Sequence, residues 1–216
     1  LILCAILFIS PKSISASIGS NGDSDSYLKN NRTSENGMYD YILSNDKSSA
    51  CIINYYGPTD IKELVIPDTI DGYPVISIGG EDSIIVETYP FRNSGDQLAL
   101  SYIPYSLFDK CEDLEEIKLP KQLEWIGAGA FSGLNLKNAL LPDTVIYIGA
   151  AAFSSCYQLE EVILSKNIEI IERYAFDFSK IKEIILPDSL IRIENEAFAM
   201  CRQLEKVDFG KNISYV

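Results

Sequence analysis

The stretch Leu159–Phe176, LEEVILSKNIEIIERYAF, spaces its apolar residues by two in places and by three or four in others. A period of two belongs to a strand and a period near 3.6 to a helix, so a chain that switches between them this quickly builds very short elements. Such elements cannot bury a core alone. They become stable only where the same pattern recurs and successive copies stack on one another.

The copies are present. Aligned on a Leu-Pro pair, the sequence runs LEEIKLPKQLEWIGAGAFSGL from Leu114, LKNALLPDTVIYIGAAAFSSC from Leu136, LEEVILSKNIEIIERYAFDFS from Leu159, IKEIILPDSLIRIENEAFAMC from Ile181 and LEKVDFGKNISYV from Leu204. Phe108, Phe131, Phe153, Phe176 and Phe198 step by 23, 22, 23 and 22 residues. An earlier copy starts at Ile61 and carries three extra residues, Gly72, Tyr73 and Pro74. A period of 22 to 23 residues is that of a leucine-rich-repeat coil.

Within one copy, Leu114, Ile117 and Leu119 point inward and Glu116 and Lys118 outward from a short strand, which pairs in parallel with the same segment of neighbouring copies. Pro67, Pro120, Pro142 and Pro187 end that pairing, because proline brings no N–H and fixes its own φ. A second apolar pair follows, such as Leu123 with Ile126, and forms another wall. The spacing of Ala197, Phe198 and Cys201 predicts one helical turn to close the coil. The expected fold class is therefore α/β, a solenoid of short parallel strands and short helical turns.

Composition bounds the rest. With 31 acidic against 18 basic residues the chain carries a net charge of −13, which repels phosphate backbones and anionic lipid, so no nucleic-acid partner is expected. The run LILCAILFI at residues 1–9 is too short to span a bilayer and is followed by small residues; 1–17 reads as the remnant of a secretory signal, the competing reading being a buried strand. The mature chain is expected not to insert into a membrane. Residues 18–37 have linker composition, and 38–60 read as a β-hairpin capping the first coil. The solenoid then covers 61–216, with one degenerate copy and an insertion at about 80–100, centred on Glu87 to Gly95. The last copy stops at ISYV before its Ala-Phe pair, so truncation within a coil is expected. Cys111, Cys156 and Cys201 lie two copies apart, roughly 10 Å for strands stacked at about 4.8 Å, beyond the reach of a disulfide; they are expected to be reduced and buried.

IPDTIDGYPVISIG, LPDTVIYIGAAAFSSC and LPDSLIRIENEAFAMC closely resemble the BspA-like leucine-rich-repeat family over roughly residues 38–216. The resemblance implies an exported, cell-surface or secreted protein with a binding role in adhesion to host or neighbouring-cell proteins, and it brings no catalytic residues. Ser165 and Gly210 depart from it by replacing the proline.

The sequence contains no histidine, which removes imidazole general bases, Ser-His and Cys-His nucleophile pairs and HExxH zinc sites together. It has no phosphate-cradling glycine loop. The paired carboxylates Glu115–Glu116 and Glu160–Glu161 recur at repeat positions, as a solvated face does, so no enzyme and no cofactor is expected. The row Glu63, Glu116, Glu161 and Glu183 lacks the density of a calcium loop. Two outward columns result. One runs Glu63, Glu116, Asn138, Glu161, Glu183, Lys206; the other runs Val65, Lys118, Leu140, Ile163, Ile185, Asp208. Leu140, Ile163 and Ile185 form an apolar strip which, beside Glu116, Lys118, Glu161 and Glu183, is the candidate contact for a protein ligand on an extracellular or neighbouring-cell surface. Strand propensity and cross-strand packing offer a second account of the same three residues. As a whole the chain is a protein-binding module, the targeting arm of a larger secreted enzyme, or an inert spacer.

Overall fold

The computed structural model describes residues 32–44, 47–79 and 106–213. The expected signal segment, most of the expected linker, the 87–95 insertion and the last three residues lie outside them. Strands β1 (Arg32–Thr33) and β2 (Tyr39–Leu43) pair antiparallel, as do β2 and β3 (Ala50–Tyr55), so the end of the stretch expected as linker belongs to a sheet.

From there the chain winds as a β-solenoid. One side of each coil is a three-residue strand: β4 (Glu63–Val65), β7 (Glu116–Lys118), β9 (Asn138–Leu140), β11 (Glu161–Ile163), β13 (Glu183–Ile185) and β15 (Lys206–Asp208). In most of these the middle residue is buried and the flanking two are exposed, which is the pleat expected of a sheet with one wet face. A β-turn follows, closed by an N–H to C=O bond from Leu123 to Pro120, Val145 to Pro142, Ile168 to Ser165 and Leu190 to Pro187. Ser165 replaces the proline without loss. Its Oγ donates to Asp143 O at 3.1 Å and accepts from Asn167 N at 3.0 Å, pinning the same turn.

The second wall is one continuous sheet. β5 (Thr69–Ile70) folds back on β6 (Tyr73–Ile78), and β6, β8 (Trp125–Ile126), β10 (Tyr147–Ile148), β12 (Ile170–Ile171) and β14 (Arg192–Ile193) stack in parallel, with β3 joined parallel to β6. β4 pairs directly with β7 and β6 directly with β8, so these strands of the coil begun at Ile61 neighbour those of the coil begun at Leu114; most of the stretch expected as a degenerate copy lies outside the described residues. Phe108 completes the coil begun at Ile61, and the insertion falls between that coil's second strand and its phenylalanine.

The expected helical turn is not there. The third side is a run of tandem β-turns in which two residues per coil take positive φ: Gly129 and Gly133, Ala151 and Ser155, Tyr174 and Phe178, Glu196 and Met200. Between them the N–H groups alternate in direction. Gly129, Phe131 and Gly133 donate to Ala150, Ala152 and Ser154 of the next coil, while Ala130 and Ser132 donate backward to Gly127 and Gly129. A helix spends every N–H within its own turn; here half of them join coils, which keeps non-glycine residues in a conformation costing roughly 1–2 kcal/mol each.

Inside, the phenylalanines form a column. Ring centroids lie 5.7 Å apart from Phe108 to Phe131, 5.1 Å to Phe153, 5.3 Å to Phe176 and 5.2 Å to Phe198. Tyr55 continues it at 5.3 Å from Phe108. Cys111, Cys156 and Cys201 are free thiols; Cys111 and Cys156 are buried, but Cys201 is partly exposed, against the expectation of three buried ones. Cys156 Sγ sits 3.1 Å from Phe131 O, and burial pushes its thiol up to about 12.

Successive coils are not equivalent. The residue before the first strand alternates in sign as Lys62, Glu115, Lys137, Glu160, Lys182, Glu205, and the turn alternates in the opposite sense as Asp68, Lys121, Asp143, Lys166, Asp188, Lys211. Each turn aspartate is bridged by the lysine of the next coil: Lys121 at 3.2 Å, Lys166 at 2.5 Å and Lys211 at 3.3 Å. The amides of Gln122, Asn167 and Asn212 donate to the same aspartates' backbone carbonyls. At the other interfaces a hydroxyl of the later coil takes over, Thr144 donating to Leu123 O and Ser189 to Ile168 O, each at 2.7 Å. The full three-residue ladders also form pairwise, β4 with β7, β9 with β11 and β13 with β15. The repeating unit is therefore two coils, and Cys111, Cys156 and Cys201 mark its period.

Candidate functional site

The three-residue strands put the expected outward columns on one face. Leu140, Ile163 and Ile185 are 56%, 50% and 66% exposed, and Leu140 stands directly across from Ile163 in the ladder of β9 and β11. Val65 is equally exposed but is separated from Leu140 by Lys118. Covering the remaining surface of three aliphatic side chains that are already partly covered is favourable by roughly 1 kcal/mol each, and the strands that carry them are already held by neighbouring coils, so little ordering cost opposes a docking partner.

The polar members of the candidate set have separate surroundings. Glu63 is tied to Lys118 by a short ion pair, and Glu183 to Lys206 at 3.4 Å. Lys118 is therefore committed to a carboxylate, an arrangement its place in the apolar column did not foretell. The side chains of Glu116 and Glu161 have no ion-pair or hydrogen-bond partner among the described residues, and the residue opposite Glu161 is the neutral Asn138. Between these strands lies an open groove of about 750 Å³ whose walls include Asn138, Glu161, Glu183, Glu205 and Lys206.

The sequence places Glu115 and Glu160 on a solvated face without their ion pairs. Glu115 accepts from Lys62 at 2.9 Å and also from Lys137, and these two lysines hold its carboxyl down to about 2. Glu160 accepts from Lys182 at 2.6 Å. Their signal was the alternation of sign just before each strand, visible only when every second copy is compared.

The second wall holds a buried carboxylate. Glu172 and Glu194 occupy the places of Gly127 and Gly149; Gly149 is itself confined, since a Cβ there would fall 2.6 Å from Ala128 N. Burial raises the Glu172 carboxyl above its ordinary range, with Arg192, whose Nη2 lies 3.3 Å away, acting against that. Arg192 Nε is 3.0 Å from Glu194 Oε1 but not aligned with it, so that contact is an ion pair without a hydrogen bond. Among the described residues no three His, Cys, Asp or Glu side chains are placed to hold a metal ion, and no helix is long and apolar enough to cross a membrane.

A stack of parallel strands on a 22-to-23-residue period, with a Leu-Pro turn and an Ala-Phe column, defines a leucine-rich-repeat β-solenoid. The BspA type leucine rich repeat model matches residues 101–216 in six copies, and the chain belongs to that family. Similar solved structures include the pneumococcal vaccine antigen PcpA, 19% identical over 82% of this chain and 49% of that one with a TM-score of 0.51. A leucine rich cell surface protein of Faecalibacterium prausnitzii is 23% identical over 79% of this chain and 52% of that one, TM-score 0.43. A leucine-rich repeat protein of Bacteroides capillosus is 24% identical over 83% and 98%, TM-score 0.45. The likeness to the pneumococcal antigen is one of fold. The chain spans about half the length of the first two structures it resembles, 52% of each. No curated protein sequence matches it.

Proposed function

We propose that this chain is a non-enzymatic protein-binding module that acts outside the cell, in adhesion, through the face made by β7, β9, β11 and β13. The observation that carries this reading is the exposure of Leu140, Ile163 and Ile185 on adjacent parallel strands, with a polar border of Glu116, Lys118, Glu161 and Glu183. An exposed contiguous apolar strip with a polar rim is the usual form of a protein-contact surface. Two features support the rest: a chain without histidine lacks the commonest general base, and the apolar run at residues 1–9 fits export. In this reading β2 and β3 cover the first coil, with Tyr55 against Phe108.

The test is a double substitution, Ile163→Glu with Ile185→Glu, assayed against whatever cell-surface or matrix protein the wild-type chain retains. Both side chains are exposed, so circular dichroism stays near wild type while binding weakens strongly. Unchanged affinity in the folded double variant moves the binding surface off this face.

A further inference from the structure

We infer that the ligand of this face brings its own cation: an apolar segment of a partner protein flanked by lysine or arginine, seated on the middle two-coil unit. The inference rests on the strand face being the binding surface. In the first and third units the outward glutamate of one coil is neutralised by a lysine of the next, Glu63 by Lys118 and Glu183 by Lys206. The middle unit has neither member of such a pair, with Asn138 at the place of Glu63 and Glu183. The residue opposite Glu161 is Asn138, and the place that holds Lys118 in the first unit holds Ile163, which pairs with Leu140. Glu161 stands where Glu116 stands in the first unit, and neither carboxylate has an ion pair among the described residues; but Glu116 lies two residues from Lys118 and acts on it through space, whereas Glu161 lies two residues from Ile163 in a strand without a cation.

The surroundings strengthen the charge argument. The lysines bordering the groove are engaged: Lys137 with Glu115, Lys182 with Glu160 and Lys206 with Glu183. None is left to turn toward Glu161 without breaking a pair. A basic side chain arriving beside an apolar one would meet Glu161 and the methyl groups of Ile163 and Leu140 together. As those methyl groups lose water on docking, the charge-assisted hydrogen bond to Glu161 forms in a drier setting than an exposed pair has. An acidic segment would meet the same carboxylate and be repelled.

The experiment titrates the whole chain, labelled at isoleucine and leucine methyl groups, with short acetylated peptides that alternate isoleucine with lysine, glutamate or serine. The lysine peptide is expected to shift the Leu140, Ile163 and Ile185 methyl signals and to bind about tenfold more tightly than the serine peptide. Glu161→Gln is expected to abolish that difference without altering the fold, because its side chain holds no other residue. Equal binding of lysine and glutamate peptides on this face overturns the inference and leaves the face as the binding surface. Shifts confined to other methyl groups, such as that of Ile191 beside β14, overturn both.

Discussion

Replacing Phe153 with alanine probes the element that holds the coils in line. Phe153 is fully buried and stacked on both sides, 5.1 Å from Phe131 and 5.3 Å from Phe176. Truncating a buried phenylalanine costs about 3–5 kcal/mol, and each ring pair contributes about 0.5–1.5 kcal/mol beyond its area, so with two partners lost the expected cost is about 4–5 kcal/mol. Phe198 is only partly buried and among the described residues stacks on Phe176 alone, 5.2 Å away; the same truncation there is expected to cost about half as much. Urea unfolding followed by circular dichroism, together with the fluorescence of Trp125 4.9 Å from Tyr147, reads both variants. In a stack governed by nearest neighbours the two costs differ by about 2 kcal/mol. Equal costs, or less than about 1.5 kcal/mol at Phe153, would refute the continuous column.

Three further predictions follow from the coil. Ser155→Gly, at the place where an earlier coil has Gly133, removes a left-handed serine of φ 59° and is expected to stabilise by about 0.5–1 kcal/mol in thermal unfolding, whereas glycine in a helical turn would destabilise by a similar amount. Deleting residues 136–158 sets Glu115 against Glu160 and Lys121 against Lys166, whereas deleting 136–180 restores Glu115 opposite Lys182; the larger deletion is expected to leave the higher melting temperature, and the reverse order would reject the two-coil unit. Because burial raises the Glu172 carboxyl, the folded state takes up a proton there before the unfolded chain does. Its contribution to stability is present at low pH and lost as pH rises from the ordinary carboxylate value through the raised one, so Glu172→Gln should be more stable than wild type at neutral pH, with the gap closing on acidification in calorimetry.

The repeat length, both strand walls, the phenylalanine column and the outward residues were legible because each rests on apolar periodicity, which burial enforces. The closing turn was not. Ala197, Phe198 and Cys201 fall at helical spacing, and nothing in Ala151, Tyr174 or Glu196 announces positive φ; the conformation is imposed by hydrogen bonds from the next coil, which a single copy cannot reveal. The two-coil unit was present in the letters, but alignment on Leu-Pro and Ala-Phe averages the charges away. The pairing of Lys118 with Glu63 needed the register of β4 and β7, and with it the contrast that singles out Glu161.

The central claim is that the three-residue strands form the contact surface, and position-specific photocrosslinking tests it most directly. A photoreactive phenylalanine analogue replaces Ile163 on β11 in one variant and the exposed Ile191 beside β14 in another, and each folded chain is irradiated on cells to which the wild-type chain adheres. The account predicts one discrete adduct from position 163, competed away by unlabelled wild-type chain and not by the Ile163→Glu, Ile185→Glu double variant, with none from position 191. A competed adduct from 191 and none from 163 would contradict it.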